Sequence, residues 1–335
     1  MTYRARVAQR EKGGPLVVAG AGALGSVFGG LLAHAGWPVV LLGRPEHMQA
    51  IARDGLRVEG LFGTHTVRGI TTLSDAAALE GTFGTVLLTV KSYDTAAMVR
   101  AMAPHLAADG LLVSLQNGLG NLECATDVLG ASRVIGARVI FGAELLGPGR
   151  VRVTVNAAPV LAGSPDPRDA VGTALAEKWA RRFAEAGIPS GTTDNLLGEL
   201  WAKVFYNAAL NPLGALLGVP YGYLPDDPDA RSLMDQVIDE AFAVARASGI
   251  ALRWPDAGAY RADFYGALVP STAAHRSSML QDLERGRPTE IDAINGWVAR
   301  RGAELGVPVP INTTLTHVIR ARVRRATSNE EPWNR

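Results

Sequence analysis

Short apolar runs punctuate the first half of the chain, whereas the second half carries only longer amphipathic stretches. Continuous apolar runs that alternate with helical stretches are typical of a parallel sheet covered by helices on both faces. The runs that predict strands are Leu16–Ala19, Val39–Leu42, Val86–Val90, Leu111–Leu115 and Val134–Phe141. Arg150–Leu161 instead alternates apolar and polar residues, which predicts an antiparallel strand at the edge of the sheet.

Helical spacing takes over after Arg168 and persists to the end of the patterned sequence. The first helix is predicted at Ala170–Ala186, and the polar segment Ser190–Asn195 after it predicts a linker with an N-cap at Thr193 or Asp194. No solenoid-type repeat is visible, so these helices predict a bundle. The further predicted helices are Leu196–Gly218, Asp229–Ser248, Pro255–Leu268, Ser271–Arg285, Glu290–Leu305 and Thr313–Arg325.

The loop after the first apolar run has the spacing Gly20-x-Gly22-x-x-Gly25 and leads into a helix predicted at Ala23–His34. In a βαβ unit such glycines permit a tight turn, close approach of a pyrophosphate and close packing of the helix. The helix N-terminus adds free N–H groups and a positive dipole end. The alternative is a glycine turn without a ligand. We predict dinucleotide contacts from Gly20, Ala21, Gly22, Ala23, Leu24 and Gly25.

Arg44 ends the second apolar run, where an NAD-binding chain usually carries an acid that accepts from the ribose hydroxyls. No acid occurs from Val39 to Arg44, and a guanidinium can pair with a 2′-phosphate. The residue therefore favours NADP over NAD, with a solvated surface arginine as the alternative.

Lys91 and Asn117 follow the ends of two further apolar runs. Ligands of open α/β sheets bind outside the carboxyl ends of the strands, which is the edge that carries the glycine loop. Both residues are therefore candidate cofactor contacts. Ordinary loop polarity is the alternative for each of them.

These observations predict an α/β N-terminal domain of the Rossmann type that binds a dinucleotide, followed by an all-α C-terminal domain. We place the dinucleotide-binding domain at residues 15–194 and the helical domain, which carries substrate and catalytic residues, at residues 195–325. Residues 1–14 and 326–335 are polar and are expected to be a disordered extension and tail.

The first helix after the linker carries Lys203, Asn207 and Asn211 at i, i+4 and i+8, which places them on one face. A polar stripe among apolar neighbours is costly unless it meets water or a ligand. A solvent-facing stripe is the alternative, although such faces normally carry more charge than one lysine and two amides. Pro212 is expected to kink or end the helix and to aim Asn211 inward.

A second polar group comprises residues 277–282 in the helix predicted at Ser271–Arg285 and residues 286–292 around the start of the helix predicted at Glu290–Leu305. Thr289 is expected to cap the later helix, and Glu290 and Asp292 in its first turn can act as partners of the helix dipole. Ser278 is equally open as a cap or a site residue. For each of these residues, helix capping and ligand binding therefore remain alternatives.

Composition narrows the class of protein. A net charge of +1 without a long basic run gives no support for nucleic acid or an anionic membrane as partner. No apolar run is long enough to span a bilayer, and the N-terminus has no apolar signal core. The single Cys124 fits a reducing compartment, so we expect a cytoplasmic protein. The sequence shows no metal-ligand spacing and no phosphate-transfer loop ending in Lys-Ser/Thr.

The histidines outside the second domain's polar groups are scattered, and we expect them to be surface or packing residues. They are His34, His47, His65, His105 and His317.

From Pro15 to Arg325 the chain resembles the ketopantoate reductase (2-dehydropantoate 2-reductase) family. The matching motifs are Gly20–Gly25, Arg44, Val90-Lys91-Ser92, Gln116-Asn117-Gly118, Trp201-x-Lys203-x-x-x-Asn207-x-x-x-Asn211-Pro212-Leu213, Ser278-Met279 and Thr289-Glu290-Ile291-Asp292. The resemblance implies NADPH-dependent reduction of a 2-oxo acid to a 2-hydroxy acid, with ketopantoate in pantothenate biosynthesis as the leading substrate. A homodimer is left open.

The same resemblance implies roles for individual residues. NADPH is held by the glycine loop, Arg44, Lys91, Asn117 and Ala143, with Glu290 near the nicotinamide ribose. Lys203 is the proton donor, and Glu290 is a second catalytic residue that orients the ammonium or the cofactor. The residues implied to hold substrate are Asn117, Lys203, Asn207, Asn211 and Ser278.

Two positions depart from the family's pattern, which has asparagine where this chain aligns Tyr221 and His275. Both replacements keep hydrogen-bonding capacity but change the shape of the pocket and the number of donors, so we expect both to line it. They favour an alternative in which the substrate is a different branched or aromatic 2-oxo acid. A non-catalytic NADP sensor is the remaining alternative, and the intact Lys203 argues against it.

Overall fold

In the computed structural model, residues 14–327 are described, and they form two compact units. The β unit comprises residues 14–117 and 121–196, and the helical unit comprises residues 118–120 and 197–327. Residues 1–13 and 328–335 of the expected disordered extension and tail lie outside the described residues. The prediction that the tail begins at residue 326 is wrong, because residues 326 and 327 are the last two of a helix. Gly118–Gly120 group with the helical unit, although the sequence analysis assigns them to the dinucleotide-binding domain. The reason is a tertiary contact, since Leu119 N–H donates to the carbonyl of Ala293.

The described part of the β unit contains a mixed sheet and the helices that connect its strands. Its strands are β1 (Leu16–Ala19), β2 (Val39–Leu42), β3 (Leu56–Gly60), β4 (His65–Val67), β5 (Thr71–Leu73), β6 (Phe83–Leu88), β7 (Leu106–Ser114), β8 (Val134–Gly147), β9 (Arg150–Gly163) and β10 (Ser190–Thr192). Its helices are α1 (Ala23–His34), α2 (Pro45–Asp54), α3 (Thr95–Met102), α4 (Asn121–Leu129) and α5 (Ala170–Glu185).

Six neighbouring strands run parallel in the order β5-β2-β1-β6-β7-β8. This is the doubly wound order of a dinucleotide-binding domain. Successive strands are added on one side of the first strand up to the third, and from the fourth strand onward they are added on its other side. Here those strands are β1 and β6, with Ala19 level with Leu88. The glycine loop and the segment that leads to Lys91 therefore leave the sheet side by side, as the sequence predicts.

β9 is antiparallel to β8, as predicted, but the prediction that it lies at the edge of the sheet is wrong. Its other side pairs in parallel with β3, and β10 adds to it as well. Ser190–Asn195 is accordingly not only a linker, because its first three residues are β10. β3 is not predicted from the sequence, because Arg57 and Glu59 interrupt its apolar residues. Its partner strand β9 lies about 90 residues later in the chain.

α1 packs against strands that are not neighbours in the sheet and against α5, where Phe28 contacts Phe183. A Cβ on Gly29 would lie 2.4 Å from Leu41 of β2, and one on Gly30 would lie 2.8 Å from Val58 of β3. Successive positions of the helix thus approach two strands that are far apart in the strand order of the sheet. This explains why α1 is apolar on all sides, a pattern that indicates a fully buried helix.

The helical unit is a bundle whose helix ends differ in places from the predicted ones. The early part of its core is aromatic, with Phe205, Phe242 and Tyr260 in mutual ring contact. Its helices are α6 (Leu196–Leu217, which starts at the unit boundary), α7 (Pro228–Ala247), α8 (Ala257–Asp263), α9 (Ser278–Glu284), α10 (Asn295–Leu305) and α11 (Pro310–Thr327). Across residues 14–327, no helix combines the length and apolarity needed to cross a membrane.

Two of the long predicted helices are broken. The stretch predicted as Ser271–Arg285 is helical only in α9, after a separate 3₁₀ turn at Pro270–Thr272. The stretch predicted as Glu290–Leu305 consists of a 3₁₀ turn, Ile291–Ala293, followed by α10. Thr289 is therefore not the N-cap of a long helix.

Candidate functional site

The glycine loop is held against the ends of two strands. Gly20 and Ala21 donate backbone hydrogen bonds of 3.0 and 2.7 Å to the carbonyl of Leu42, the last residue of β2. Gly20 has φ +115°, and a Cβ there would lie 2.4 Å from the backbone nitrogen of Val90. Thr89 Oγ1 closes the other side with a bond of 2.9 Å to the carbonyl of Gly20. Hydrogen bonds to two neighbouring strand segments therefore fix the backbone of the glycine loop.

The three motif glycines do not serve the same purpose. A Cβ on Gly25 would lie 2.3 Å from the carbonyl oxygen of Gly20, so this glycine is required for the loop to pack on α1. A Cβ on Gly22 would instead find its nearest atom 4.0 Å away. Gly22 directly precedes the N-terminus of α1, where backbone N–H groups point outward. The open position is the one that a pyrophosphate must approach, so these residues fit a dinucleotide.

We predict that Gly22→Ala and Gly25→Ala separate binding from stability. Gly25→Ala should lower the melting temperature of the protein, because its methyl group collides with backbone. Gly22→Ala should leave the melting temperature nearly unchanged and weaken NADPH binding about tenfold or more, since the methyl group occupies the approach to the N–H groups. Thermal unfolding and NADPH fluorescence titration measure the two effects. Equal NADPH affinity for Gly22→Ala and the native protein would show that the cradle is not a phosphate site.

Arg44 is exposed at the N-terminus of α2, immediately after the strand that anchors the glycine loop. Its helix is fixed by buried His47, which accepts a 3.0 Å bond at Nδ1 from Gly149 N–H. The Nε2 of His47 lies 2.9 Å from Ser26 Oγ in α1. Burial, followed by the charge of Arg44, lowers the pKa of His47. His47 is thus a neutral packing residue, as expected from the sequence, and it holds the arginine's helix beside α1.

Gln116 joins the ends of β6 and β7, which carry Lys91 and Asn117. Its Nε2 donates to the carbonyl of Val90 at 2.9 Å and to Thr95 Oγ1 at 2.7 Å. Because Val90 precedes Lys91, and Gln116 precedes Asn117, the bond places the two candidate residues on neighbouring strand ends.

Thr95 and Asn121 extend this polar network, and neither is among the site residues predicted from the sequence. Thr95 Oγ1 donates to Asn121 Oδ1 at 2.8 Å, and Asn121 Nδ2 donates to the carbonyl of Asn117 at 2.9 Å. Each is the first residue of a helix, α3 or α4, and each is buried. The only signal in the sequence was a polar residue at a helix start, which an ordinary helix cap shows as well.

Ala143 differs from the other candidate cofactor contacts in its position relative to the strands. It lies in β8 opposite Val153 of β9, on the part of the hairpin beyond Gly136, where β8 last pairs with β7. The structure therefore places it within a strand and not at a strand end.

The polar stripe of α6 is not solvent-facing at its asparagines. Asn207 and Asn211 are 7% and 3% exposed, and Lys203 is half-buried. Of the two outcomes expected at Pro212, the end of the helix is wrong, since α6 continues to Leu217, and the kink stays a prediction. Two amides and a lysine on a largely buried face agree with a binding role and not with a solvated surface.

Tyr221 is buried and directs the Asn211 amide. Its hydroxyl donates to Asn211 Oδ1 at 2.5 Å, so only the Nδ2 hydrogens of that amide remain to donate to another group. Burial raises the pKa of the Tyr221 hydroxyl well above its ordinary value, which keeps it a donor at neutral pH. The position where the family pattern has asparagine thus acts on Asn211 through its hydroxyl.

Three rings adjoin this amide and form what we call the aromatic cluster, consisting of Tyr206, Tyr221 and His275. The Tyr221 ring lies 5.7 Å from Tyr206, edge to face, and 5.2 Å from His275. Burial raises the pKa of Tyr206 to about 12 and lowers the pKa of His275, so both rings are neutral at pH 7. The cluster is therefore a mainly apolar surface beside a directed amide donor.

Ser278 is exposed and is the first residue of α9, whereas its neighbour Ser277 is the N-cap. Ser277 Oγ accepts from Leu280 N–H at 3.0 Å, and the side chain is fully buried. The capping alternative for Ser278 is therefore wrong, and its hydroxyl stays available to a ligand.

Glu290 is buried immediately before the 3₁₀ turn at Ile291–Ala293. The Asp292 carboxylate instead forms an ion pair of 2.5 Å with Arg320 of α11. Thr289 Oγ1 is buried and has no hydrogen-bond partner among residues 14–327. Since buried hydroxyls are normally satisfied, this atom marks the Glu290 segment as a place that a ligand can complete.

The candidate residues fall into two groups, one on each unit. Those at the strand ends of the β unit are Gly20–Gly25, Arg44, Lys91 and Asn117, with Ala143 in the hairpin. Those on the helical unit are Lys203, Asn207, Asn211, Tyr221, His275, Ser278 and Glu290. Within the described residues, no group of three or more His, Cys, Asp or Glu side chains is arranged to hold a metal ion.

Family models match both parts of the chain. The model described as "Ketopantoate reductase PanE/ApbA" matches residues 16–165, and "Ketopantoate reductase PanE/ApbA C terminal" matches residues 195–323. The chain is also similar to the 2-dehydropantoate 2-reductases of Aquifex aeolicus and Pyrococcus horikoshii. Identity is 36% and 33%, and the alignments cover 91% and 92% of this chain and 96% and 97% of the relatives.

Solved structures give the same picture. The PanE/ApbA family ketopantoate reductase of Ralstonia eutropha is 38% identical, with a TM-score of 0.83, over 94% of this chain and 100% of that one. A ternary structure of D-mandelate dehydrogenase with NADH and anilino(oxo)acetate is 26% identical. Its TM-score is 0.85, and the same shares of the two chains are covered.

Proposed function

The chain belongs to the ketopantoate reductase family, oxidoreductases that act on a CH–OH group, and we propose that it reduces a 2-oxo acid with NADPH. The observation that carries the proposal is the largely buried Lys203–Asn207–Asn211 face of α6, in a chain that also has an open glycine cradle. A lysine among amide donors suits an anionic substrate whose carbonyl oxygen gains charge during reduction. A non-catalytic sensor has no use for that arrangement.

The cofactor is a nicotinamide dinucleotide, and the choice of NADPH rests on Arg44. Its guanidinium stands where NAD-binding chains place a ribose-binding acid, and it offers paired N–H donors to a 2′-phosphate. Lys91 and Asn117 on the neighbouring strand ends complete the proposed contacts. The nicotinamide, when bound, supplies the hydride for the C2 carbonyl carbon of the acid.

The protein's own residues handle charge and protons. The Lys203 ammonium stabilises the negative charge that develops on the carbonyl oxygen and then gives that oxygen its proton. The Nδ2 hydrogens of Asn211, directed by Tyr221, donate to the acid, and Asn207 and Ser278 add further bonds. Glu290 orients the ammonium or the cofactor.

Ketopantoate is the leading substrate, because the curated relatives that match nearly the full chain are 2-dehydropantoate 2-reductases. The corresponding biological role is a step of pantothenate biosynthesis in the cytoplasm, where a free thiol such as Cys124 stays reduced. Oxidation of NADPH with ketopantoate, followed at 340 nm on purified protein, tests this assignment. NADPH binding without oxidation by any 2-oxo acid would instead favour the sensor.

An aromatic or bulky branched 2-oxo acid is the second candidate. The aromatic cluster places three tilted rings beside the Asn211 amide, and the family pattern has asparagine at two of these positions. A structural neighbour is a D-mandelate dehydrogenase crystallised with anilino(oxo)acetate, which is an aromatic oxo acid. Aromatic faces of this kind bind rings through offset or edge contacts.

We predict that Tyr221→Asn combined with His275→Asn shifts selectivity toward ketopantoate. The ratio of kcat/KM for ketopantoate to that for phenylglyoxylate should rise about tenfold, because the variant loses ring contacts and gains amide donors. Steady-state assays on native and double-variant enzyme over branched and aromatic acids provide the ratio. Tyr223→Asn is the matched control, since Tyr223 is 51% exposed, and it should leave the ratio unchanged. If the ratio of kcat/KM values is unchanged in the double variant, Tyr221 and His275 do not line the substrate pocket.

A further inference from the structure

α6 continues through Pro212, so one backbone carbonyl of the helix lacks its usual hydrogen-bond donor. In a helix, residue 212 would donate its N–H to the carbonyl of Ala208, four residues earlier, but proline has no N–H. Ala208 follows Asn207 and Pro212 follows Asn211. The missing bond therefore spans the part of the helix that carries both asparagines.

Asn295 replaces the missing donor. Its Nδ2 donates to the carbonyl of Ala208 at 3.1 Å, and the side chain is fully buried. Asn295 is the first residue of α10 and follows the Glu290 segment by a few residues. A side chain from another helix thus satisfies the carbonyl that Pro212 abandons.

A chain of hydrogen-bonded polar groups, which starts at half-buried Glu240 and continues through buried Asn312, fixes the direction of this amide. The Glu240 carboxylate of α7 only accepts, so Asn312 must turn its Nδ2 toward it, at 2.8 Å. Asn312 Oδ1 then accepts from Asn295 Nδ2 at 3.0 Å. The reverse orientation of Asn295 would set its oxygen against two other oxygens, those of Asn312 and Ala208. Asn295 therefore donates twice, and its own Oδ1 has no partner within residues 14–327.

We propose that Asn295 is a positioning residue for substrate binding, which acts by completing the hydrogen bonds of α6 between Asn207 and Asn211. The inference rests on the proposed function, because it assumes that these asparagines hold the 2-oxo acid. Without the Asn295 bond, the unsatisfied carbonyl attracts water and the helix can bend at Pro212. The two amides then lose their common alignment.

Asn295→Ala tests the proposal through a split between kinetic constants. It should raise KM for the 2-oxo acid about tenfold, in line with the loss of a buried hydrogen bond, with a smaller change in kcat. The Kd of NADPH should stay within twofold, since the glycine loop, Arg44 and Lys91, which are proposed to hold the cofactor's phosphates, belong to the β unit. Ile319→Ala, at a fully buried position of α11, is the control for lost stability and should leave KM unchanged.

Pro212→Ala provides the decisive background, because alanine restores an N–H to Ala208 within the helix. In that background Asn295→Ala should raise KM less than twofold and should lower the melting temperature by less than it does in the native chain. The same rise in KM in both backgrounds would overturn the positioning role. If Asn295→Ala alone does not fold, recovery of folded enzyme in the double variant supports the proposal, and failure in both contradicts it. The melting-temperature cycle reports on the bond even if no acid is turned over.

Discussion

Lys203→Ala is expected to lower kcat for the best 2-oxo acid by about 10³-fold while the Kd of NADPH changes less than twofold. The reason is that the ammonium acts on charge that exists only in the transition state, and it also supplies the proton. Removing a single electrostatic donor of this type typically costs about 10² to 10³ in rate. Single-turnover oxidation of NADPH together with fluorescence titration measures the two quantities separately.

Lys178→Ala is the matched control, because Lys178 is an exposed lysine of α5 on the β unit. It should retain native kcat. If Lys203→Ala retains near-native turnover as well, the lysine belongs to an inert helix face and the proposed mechanism fails.

Arg44→Asp is expected to weaken NADPH binding about 100-fold and to leave NADH binding within threefold of the native value. The substitution removes charge-assisted bonds to the 2′-phosphate, each worth about 1.5–3 kcal/mol, and places a like charge there. An aspartate can also accept from the ribose hydroxyls of NADH, which offsets other losses. Parallel titrations with the two cofactors at one ionic strength give the ratio.

Arg53→Asp is the control for a nonspecific loss of positive charge, since Arg53 lies at the other end of α2 and is paired with Asp54. It should change both cofactor affinities equally and slightly. Equal affinity of the native protein for NADPH and NADH would contradict the choice of NADPH.

The first βαβ unit could be predicted closely from local sequence. The strands at Leu16–Ala19 and Val39–Leu42 and the helix at Ala23–His34 have the predicted bounds. Each is specified by adjacent residues, because apolar runs, glycine turns and helical spacing act over a few positions. The same holds for the shift to helices after residue 195.

β9 shows where local patterns stop being informative. Its alternation correctly indicates an antiparallel strand, yet its place inside the sheet depends on β3, a short strand with two charged residues. The spacing of apolar and polar residues within a strand does not show which remote strand it pairs with. The broken helices near Pro270 and Glu290 likewise depend on contacts outside their own turns.

The sequence by itself determined the chemical inventory of the protein: a glycine loop before a helix, an arginine in place of an acid, and a lysine with two asparagines on one helix face. Only the tertiary structure decided that both asparagines are buried, that Tyr221 orients Asn211, and that α6 continues beyond Pro212. A buried amide or carbonyl takes its direction from its hydrogen-bond partner, and these partners come from other segments of the chain. Residue types and their spacing are local properties, whereas the orientation of a polar group depends on the packed fold.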